Sequence, residues 1–162
     1  MKQLWILCLL VFSSLACTPS EEELMKVGLE KMDAQDWAEA VTQFDQVLEK
    51  NPNQPTALNA KGVALFQQGK IKEAIPLFDQ AIKVDSTNYK PWFNRGNANM
   101  ELTNYKAALA DFNLAAALDP SQLDILFNRG TTLLSMEAYE DALLDFQAVV
   151  QKEPNHAEAH FR

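Results

Sequence analysis

The chain has 162 residues, of which 48% are hydrophobic, and this is long enough for one domain with a continuous core. Its 22 acidic residues outnumber the 14 Lys and Arg, which gives a formal net charge of −8. Since nucleic-acid binding needs a basic surface, this charge argues against a nucleic-acid partner. The two cysteines, Cys8 and Cys17, lie near the N-terminus, so the remainder of the chain has no thiolate for a disulfide or a metal site.

The first 16 residues have the pattern of a cleaved signal peptide. Lys2 supplies a positive charge, and an almost continuous apolar run over residues 4–12 follows it. This run is too short to span a bilayer as a stable anchor, but it suits the hydrophobic region of a secretory signal. Ser14 and Ala16 then place small residues before Cys17. We therefore expect residues 1–16 to be removed.

The residues around the expected cleavage point indicate lipid attachment. The small residue Ala16 directly before Cys17 resembles the lipobox of bacterial lipoproteins, although Ser14 stands where that family usually has leucine. In that family the cysteine is acylated, so the resemblance implies that Cys17 is the lipid-attachment residue. Cleavage of the same bond by ordinary signal peptidase, which leaves a secreted or periplasmic protein with a free thiol, is the alternative. The favoured localisation is the cell envelope, with a lipid anchor in the outer membrane.

An acidic segment joins Cys17 to the rest of the chain, with residues 17–20 as a tether. The three residues between Cys17 and the first repeat reach about 11 Å at most, which would hold the following domain close to the membrane. Ser20 and Glu23 predict a capping box, in which each side chain accepts a hydrogen bond from the other residue's amide. The acidic run at 21–23 also resembles the signal that follows the cysteine in surface-exposed lipoproteins of some Gram-negative bacteria. The capping role is favoured, and both roles are compatible.

From residue 21 onwards the sequence repeats every 34 residues. A fixed period of this length predicts stacked helical hairpins. Apolar residues three and four apart mark the buried faces of the second helices, and proline ends these helices in three of the four units. In the second unit Ser86 replaces the proline, so side-chain capping by residues 85–88 is expected to turn the chain. The repeated positions are Gly28, Gly62, Gly96 and Gly130; Ala40, Ala74, Ala108 and Ala142; and Phe44, Phe78, Phe112 and Phe146.

This pattern of small residue, turn, alanine, aromatic residue and proline resembles the tetratricopeptide repeat, from residue 21 to the end. The resemblance implies an all-α fold, a right-handed solenoid of tandem antiparallel helix hairpins. Four units are expected at residues 21–54, 55–88, 89–122 and 123–156, and residues 157–162 begin a fifth. Since solenoids normally end in a polar capping helix, so short a piece over the fourth unit suggests a truncated product, a longer parent protein, or a site where another subunit packs, which includes self-association at this end.

Packing inside the hairpins follows from the repeated residues. The glycines are expected where the first helix approaches the second most closely, with the alanines facing them and the phenylalanines filling the wider space one turn later. Pro76 lies in the second helix of the second unit. We expect that helix to begin near residues 71–73, which would place the proline in the first turn, where its missing amide is harmless.

Arginine and aspartate occur together in the last two units. Arg95 accompanies Asp111 and Arg129 accompanies Asp145, whereas the first two units have neither residue at these positions. The correlation predicts partly buried ion pairs, either inside each hairpin or from Asp111 across to Arg129. A structural role is favoured over a catalytic one.

The inner face of the array is the expected functional surface. In tetratricopeptide superhelices the first helices line a concave groove, which implies a partner-binding site here. Asparagine amides could satisfy the backbone of an extended peptide and phenylalanines could bury its apolar side chains. The alternative is that the amides only solvate the helices and the phenylalanines belong to the core. The groove residues implied are Met25, Leu29, Asn59, Val63, Phe66, Phe93, Asn94, Asn97, Phe127, Asn128 and Thr131.

No catalytic or metal-binding group is expected. His156 and His160 are four residues apart, but no third ligand accompanies them, so they are interpreted as incidental surface histidines. The sequence contains no phosphate-binding glycine loop, nucleophile elbow or metalloprotease motif. Among the positions with which some family members hold a C-terminal carboxylate, only Lys90 agrees, so a carboxylate clamp is not expected.

The sequence therefore favours a non-enzymatic scaffold without cofactors in the bacterial cell envelope. Such a scaffold would bind a protein or peptide partner in the groove and contact the membrane through a lipid anchor. One alternative is an outer-membrane assembly or pilotin-type lipoprotein factor. Another is a recruiting module of a longer enzyme, truncated after Arg162.

Overall fold

The computed structural model describes residues 18–153, and helices are the only regular elements in this range. In chain order they are α1 Glu21–Asp33, α2 Trp37–Lys50, α3 Pro55–Gln67, α4 Ile71–Val84, α5 Tyr89–Glu101, α6 Tyr105–Leu118, α7 Leu123–Ser135 and α8 Tyr139–Lys152. Consecutive helices pack as hairpins, α1 with α2, α3 with α4, α5 with α6 and α7 with α8, and each hairpin packs on the next. The prediction of an all-α array of tandem hairpins is confirmed.

Several predictions concern residues outside this range. The signal peptide, Cys17, the start of the fifth unit, His156 and His160 lie outside the described residues, and so the predictions made for them stay predictions. Self-association at the C-terminal end also stays a prediction. Among the helices of residues 18–153, none has the length and apolar character needed to cross a bilayer.

The array begins with the expected capping box. The Ser20 hydroxyl oxygen accepts from the Glu23 amide at 3.1 Å, and the Ser20 amide donates to Glu23 Oε2 at 2.7 Å. The bond from the Ser20 amide favours the charged carboxylate and lowers the pKa of Glu23. Two amides that α1 would otherwise leave unpaired are therefore satisfied, and the prediction is confirmed.

The turn after α4 is closed by side chains in place of the missing proline. Asp85 Oδ1 accepts from the Thr87 amide at 3.0 Å and from the Thr87 hydroxyl at 2.7 Å. The same arrangement joins Asp119 to Ser121 after α6, where Pro120 is present. These bonds lower the pKa of both aspartates, with the hydroxyl donor as the largest cause in each case. The predicted side-chain capping is confirmed, and it does not depend on the loss of proline.

The turn inside each hairpin requires a left-handed residue at one repeated position. Gly69 has φ 76°, while Gln35, Thr103 and Glu137 have φ of 57°, 59° and 61° at the same position of the other units. Glycine adopts this conformation without strain, whereas a side chain, and a β-branched one above all, opposes it. Only the second unit therefore has the residue that this turn favours.

The repeated glycines face phenylalanine rings. A Cβ added at Gly62 would lie 2.5 Å from Phe78 Cε1, and one at Gly96 would lie 2.7 Å from Phe112 Cε1. Both rings are fully buried. The phenylalanine, which was expected one turn further on, therefore lies directly against the glycine of its own unit, and the facing position of the alanines stays a prediction. A side chain at either glycine would displace the ring at the centre of the hairpin.

Pro76 lies deeper in α4 than expected. The helix does begin at Ile71, as predicted, but Pro76 is inside the helix, beyond the first turn. Its missing amide leaves the carbonyl of Lys72 without its helical donor. Pro76 is exposed, so this carbonyl can be solvated. The first-turn placement was wrong because a turn has about 3.6 residues, so a helix that begins at Ile71 has already passed its first turn at Pro76.

Candidate functional site

The first helices of successive units lie on one side of the array. α1 packs on α3, α3 on α5 and α5 on α7, while among residues 18–153 second helices pack mainly on first helices and not on one another. The side where neighbouring units approach most closely is the inner side of a superhelix. The first helices therefore line the inner side, where the groove was expected.

The eleven groove residues share one property, which is that each is at least partly exposed. Leu29 is the most open, with 44% of its surface accessible, and the others are intermediate. Residues on the opposite faces of the same helices, such as Leu24 and Leu58, are buried. The exposed residues therefore form one continuous surface across α1, α3, α5 and α7. These residues are Met25, Leu29, Asn59, Val63, Phe66, Phe93, Asn94, Asn97, Phe127, Asn128 and Thr131.

Two asparagine pairs connect the first helices across this surface. Asn94 Nδ2 donates to Asn59 Oδ1 at 2.9 Å, which joins α5 to α3. Asn128 Nδ2 donates to Asn97 Oδ1, also at 2.9 Å, which joins α7 to α5. All four side chains are half-buried, so the amides are held in place and do more than solvate the helix surface. Sequence reasoning named the four residues but not their pairing.

The groove phenylalanines belong both to the surface and to the core. The Phe93 ring centroid lies 5.9 Å from that of Phe112, and the Phe127 centroid lies 5.8 Å from that of Phe146. These distances are those of favourable tilted aromatic pairs. One face of each groove ring is therefore supported by a buried ring, and its remaining surface is accessible from the groove. The phenylalanines therefore contact the core, as the second reading expected, and their use in partner binding stays a prediction.

A cavity of about 210 Å³ opens beside Phe93, between the start of α5 and the start of α7. Phe93 and Ile125 give it an apolar floor, and Asn94 lies on its wall. Lys90 and Asp124 bring one positive and one negative charge to its rim. The cavity suits one side chain of a bound partner, with a polar edge that would orient it.

Arg95 connects three consecutive helices on the side away from the amide pairs. Its Nε and Nη2 donate to the two Asp111 oxygens at 3.0 and 2.6 Å, and its Nη1 donates to Asp79. Asn99 donates to the same Asp111 carboxylate at 3.2 Å. The Arg95 guanidinium also lies 5.0 Å from the centroid of the Trp92 ring. The bonds to Asp111 are the main cause of a raised pKa of Arg95, so this cation is permanent.

The fourth unit repeats this arrangement, with the neutral Asn113 in place of the acidic Asp79. Arg129 donates to Asp145 at 2.8 and 2.6 Å, and its Nη1 donates to Asn113 at 3.0 Å. Hydrogen bonding to Asp145 raises the pKa of Arg129. Of the two arrangements that the sequence left open, the structure contains the pair inside each hairpin. In the second unit Lys61 lies 2.5 Å from Asp45 of α2.

The role of Asp45, Asp79 and Asn113 was missed by sequence reasoning. Each lies on a second helix and contacts the basic residue of the next unit's first helix. Their 34-residue spacing is a signal in the sequence, but a period does not show which residue of the next unit each of them contacts. These residues are structural links between units. Within residues 18–153 no cluster of three or more histidine, cysteine or acidic side chains could hold a metal ion.

Comparison with solved structures shows the same fold. MamA from Desulfovibrio magneticus RS-1 is 23% identical, with a TM-score of 0.77 over 85% of this chain and 77% of that one. YrrB, described as a TPR protein with an unusual peptide-binding site, is 23% identical, with a TM-score of 0.76 over 86% of this chain and 72% of that one.

A third structure is the first TPR of Spaghetti (RPAP3) bound to the HSP90 peptide SRMEEVD. It is 33% identical, with a TM-score of 0.64 over 66% of this chain and 85% of that one. No curated protein sequence matches the chain. The tetratricopeptide repeat family model matches residues 27–91 and 68–123, which together make up more than half of the chain. The protein therefore belongs to the tetratricopeptide repeat family.

Proposed function

We propose that this protein is a scaffold that holds a peptide segment of a protein partner in the groove lined by α1, α3, α5 and α7. The observation that carries the proposal is the continuous, partly exposed inner surface, in which oriented amides alternate with apolar side chains. Such a surface offers hydrogen bonds to a peptide backbone and contacts to its side chains. Two of the structural relatives are described with a peptide-binding site or a bound peptide, which supports the same use of this fold.

The groove can be tested by placing a charged side chain at each of its ends. Leu29→Arg and Thr131→Arg add bulk and charge to exposed or half-exposed positions, so the fold should persist. A matched control is Leu114→Arg, because Leu114 of α6 is 45% exposed and lies on a second helix. Chemical cross-linking and affinity capture from the native source should lose partners with the two groove variants and retain them with the control. Equal capture by all three variants would exclude the groove as the binding site.

We further propose that the scaffold acts in the bacterial cell envelope, anchored through acylated Cys17. The proposal rests on the signal-like residues 1–16 and on the position of the cysteine that follows them. Labelling with a fatty-acid analogue should modify the wild-type protein and not Cys17→Ser. Cys8→Ser is the matched control, since Cys8 lies within the expected signal and its loss should leave labelling intact. Labelling of Cys17→Ser at the wild-type level would refute the anchor, whatever the groove binds.

A further inference from the structure

The second helices of the last two units enclose a cavity on the outer side of the array. Because the first helices line the inner side, α6 and α8 lie on the outer side. A cavity of about 310 Å³ opens between them, with α7 beneath it, and we call it the outer furrow. Its walls are Leu109 and Asn113 of α6 and Asp141 and Leu144 of α8. None of its lining residues belongs to the groove, so the two surfaces are separate.

The outer furrow has an apolar lining that is open to solvent. Leu144 is the most exposed large hydrophobic side chain of residues 18–153, with 64% of its surface accessible. Leu109 is partly exposed on the opposite wall and packs against the core of the fourth unit, and Leu133 of α7 is buried in the floor. Apolar atoms that cover these side chains remove hydrophobic surface from water, which is favourable. An occupant with an aliphatic portion is therefore preferred.

The outer furrow also contains one negative charge without a counter-ion. Arg129 and Asp145, which complete the floor, compensate each other through two hydrogen bonds of 2.8 and 2.6 Å. The Asp141 carboxylate makes no hydrogen bond or salt bridge within residues 18–153. Its charge is nevertheless close, since it adds to the effect of Asp145, the main cause of the raised pKa of Arg129. An occupant with a positive charge would therefore gain an ion pair.

The preceding pair of second helices lacks this combination. Between α4 and α6 the positions of Asp141 and Leu144 are occupied by Ala107 and Ala110, each 34 residues earlier. The carboxylate on that wall, Asp79, is already bound by the arginine of α5. An open leucine beside an unpaired carboxylate is therefore not a consequence of the repeat itself. It is a property of the last two units.

Charge complementarity decides which occupant fits. An acidic group would face Asp141 and would find Arg129 already paired. A wholly apolar group would cover the Asp141 carboxylate without giving it a partner, which costs free energy. A long basic side chain meets both requirements, because its aliphatic stem can cover the leucines while its charged end reaches the carboxylate. The net charge of −8 also attracts a basic partner over longer distances.

We propose that the outer furrow is a second interaction site, which takes a lysine or arginine side chain and an adjacent apolar side chain from a protein partner. The volume agrees with this occupant, because 310 Å³ is at the small end of ligand pockets, which hold about 300–1,000 Å³. The site goes beyond the proposed function, since it shares no residue with the groove. One scaffold can therefore contact two proteins on opposite sides.

Selection from a displayed library of random 12-residue peptides tests the site on the purified protein. The library is first depleted on Asp141→Ala/Leu144→Ala, which gives the outer furrow the alanines of the preceding helix pair. Peptides that the wild-type protein then captures should carry lysine or arginine beside a large apolar residue, and should still bind Leu29→Arg. Enrichment of acidic or uncharged peptides would overturn the proposed chemistry. Failure to enrich any peptide that distinguishes the two proteins would overturn the site.

A charge exchange tests the contact with Asp141. Replacing the basic residue of an enriched peptide by glutamate should weaken binding to the wild-type protein about tenfold, as measured by fluorescence anisotropy. The same glutamate peptide should regain most of this affinity with Asp141→Lys, whereas the original peptide should lose it. Because Asp141 is exposed, we expect both proteins to fold, and equal melting temperatures would verify this. No recovery with the exchanged pair would refute Asp141 as the partner of the basic residue.

Matched controls come from the same helices. Glu140→Ala removes an exposed acidic residue that also lies in the first turn of α8 but does not line the outer furrow. This control separates a contact with the peptide from an effect on the helix end. Leu114→Ala removes the same atoms as Leu144→Ala from an exposed leucine of α6 outside the furrow. Neither control should change peptide affinity by more than about twofold, whereas Leu144→Ala should weaken it about fivefold. Equal losses with Leu144→Ala and Leu114→Ala would overturn the site.

Discussion

In the first two units the buried cores are apolar, and the basic residue of α3, Lys61, pairs with Asp45, whose side chain is 48% exposed. In the last two units, arginines reach aspartates that are almost fully buried, Asp111 and Asp145. Yet the backbone is the same in all four units, down to the length and the turns of each hairpin. The same hairpin is therefore compatible with either kind of polar contact, and the repeated glycine, alanine and phenylalanine are common to all four units.

The difference extends to the groove. Among the groove residues, the units that lack buried ion pairs have one amide, Asn59, whereas those that contain them have Asn94, Asn97 and Asn128 beside Phe93 and Phe127. A polar network on one side of α5 and α7 thus coexists with amides on the groove side of the same helices. Both helices still contribute apolar side chains to buried cores, as Trp92 does from α5 and Leu133 from α7.

Truncation of the shared phenylalanine should have the largest effect and should be alike in both halves. Phe78→Ala and Phe112→Ala should each destabilise the protein by about 3–5 kcal/mol, because each leaves a cavity at a fully buried site. Urea unfolding followed by circular dichroism measures the loss. A difference between the two variants that exceeds the spread of replicate measurements would show that the hairpin cores are not equivalent.

Removal of one carboxylate should cost more stability in the last two units than in the first two. Asp111→Ala should destabilise the protein by about 2–3 kcal/mol, less than for a wholly buried pair because Arg95 stays partly solvated. Asp45→Ala should change stability by about 1 kcal/mol or less, since its pair with Lys61 is more open. Urea midpoints of the two variants give the comparison. Equal losses would mean that burial does not distinguish the pairs.

Substitutions at the left-handed turn position should change stability less, and in opposite directions in the second and third units. Gly69→Thr should destabilise by about 1–2 kcal/mol, because the position has φ 76°. Thr103→Gly should stabilise the third unit by up to about 1 kcal/mol, since it relieves strain at φ 59°. Thermal unfolding of both variants would measure the shifts. Destabilisation by Thr103→Gly would show that the threonine side chain makes a compensating contact.

Giving the third unit the residues that the second unit has at the same positions should change stability still less. The triple variant Arg95→Lys, Asn99→Leu, Asp111→Leu gives the third unit the residues found at Lys61, Leu65 and Leu77. The two leucines remove the buried carboxylate and amide, and the lysine keeps Asp79 as its partner, as Lys61 has Asp45. No buried charge is left unpaired, so stability should stay within about 1 kcal/mol of wild type. Urea unfolding beside Asp111→Ala provides the control. A loss as large as that of the single variant would disprove the equivalence.

Acid should weaken the caps of both halves in the same way. The pKa values of Glu23, Asp85 and Asp119 are lowered by hydrogen bonds in the folded state. Their stabilisation is therefore present above the unfolded values of 4.5 for glutamate and 3.8 for aspartate, and is lost as the pH falls through the lower folded values. Melting temperature between pH 6 and pH 2 measures the loss. Glu23→Gln should reduce the pH dependence, and an unchanged slope would contradict the assignment.

The 34-residue period predicted most of the fold, because glycine, alanine and phenylalanine in register determine how two helices pack. The capping box was equally predictable, since its atoms lie within four residues of one another. The asparagine pairs were not predictable. Asn59 and Asn94, like Asn97 and Asn128, occupy different positions within their units, so they meet only because of the offset between successive hairpins. A period describes equivalent positions and gives no such offset.

The position of Pro76 and the phenylalanine rings above the glycines show the same limit on a finer scale. The depth of Pro76 in α4 depends on the residue at which the helix begins. The contact of each ring with a glycine depends on how the two helices of a hairpin are placed against each other. Spacing alone does not resolve such distances, and the contacts of a side chain follow from its rotamer as well as from its position in sequence.

Arg95 of α5 links three helices, because it donates hydrogen bonds to Asp79 of α4 and to Asp111 of α6. Between the third and fourth units the corresponding contact joins Arg129 to the uncharged side chain of Asn113. The boundary between the second and third units is therefore linked by an ion pair, and the next boundary by a hydrogen bond to a neutral acceptor. Bending of the superhelix would work against different bonds at these two places, so removal of the Asp79 charge would alter the first boundary and leave the second as it is.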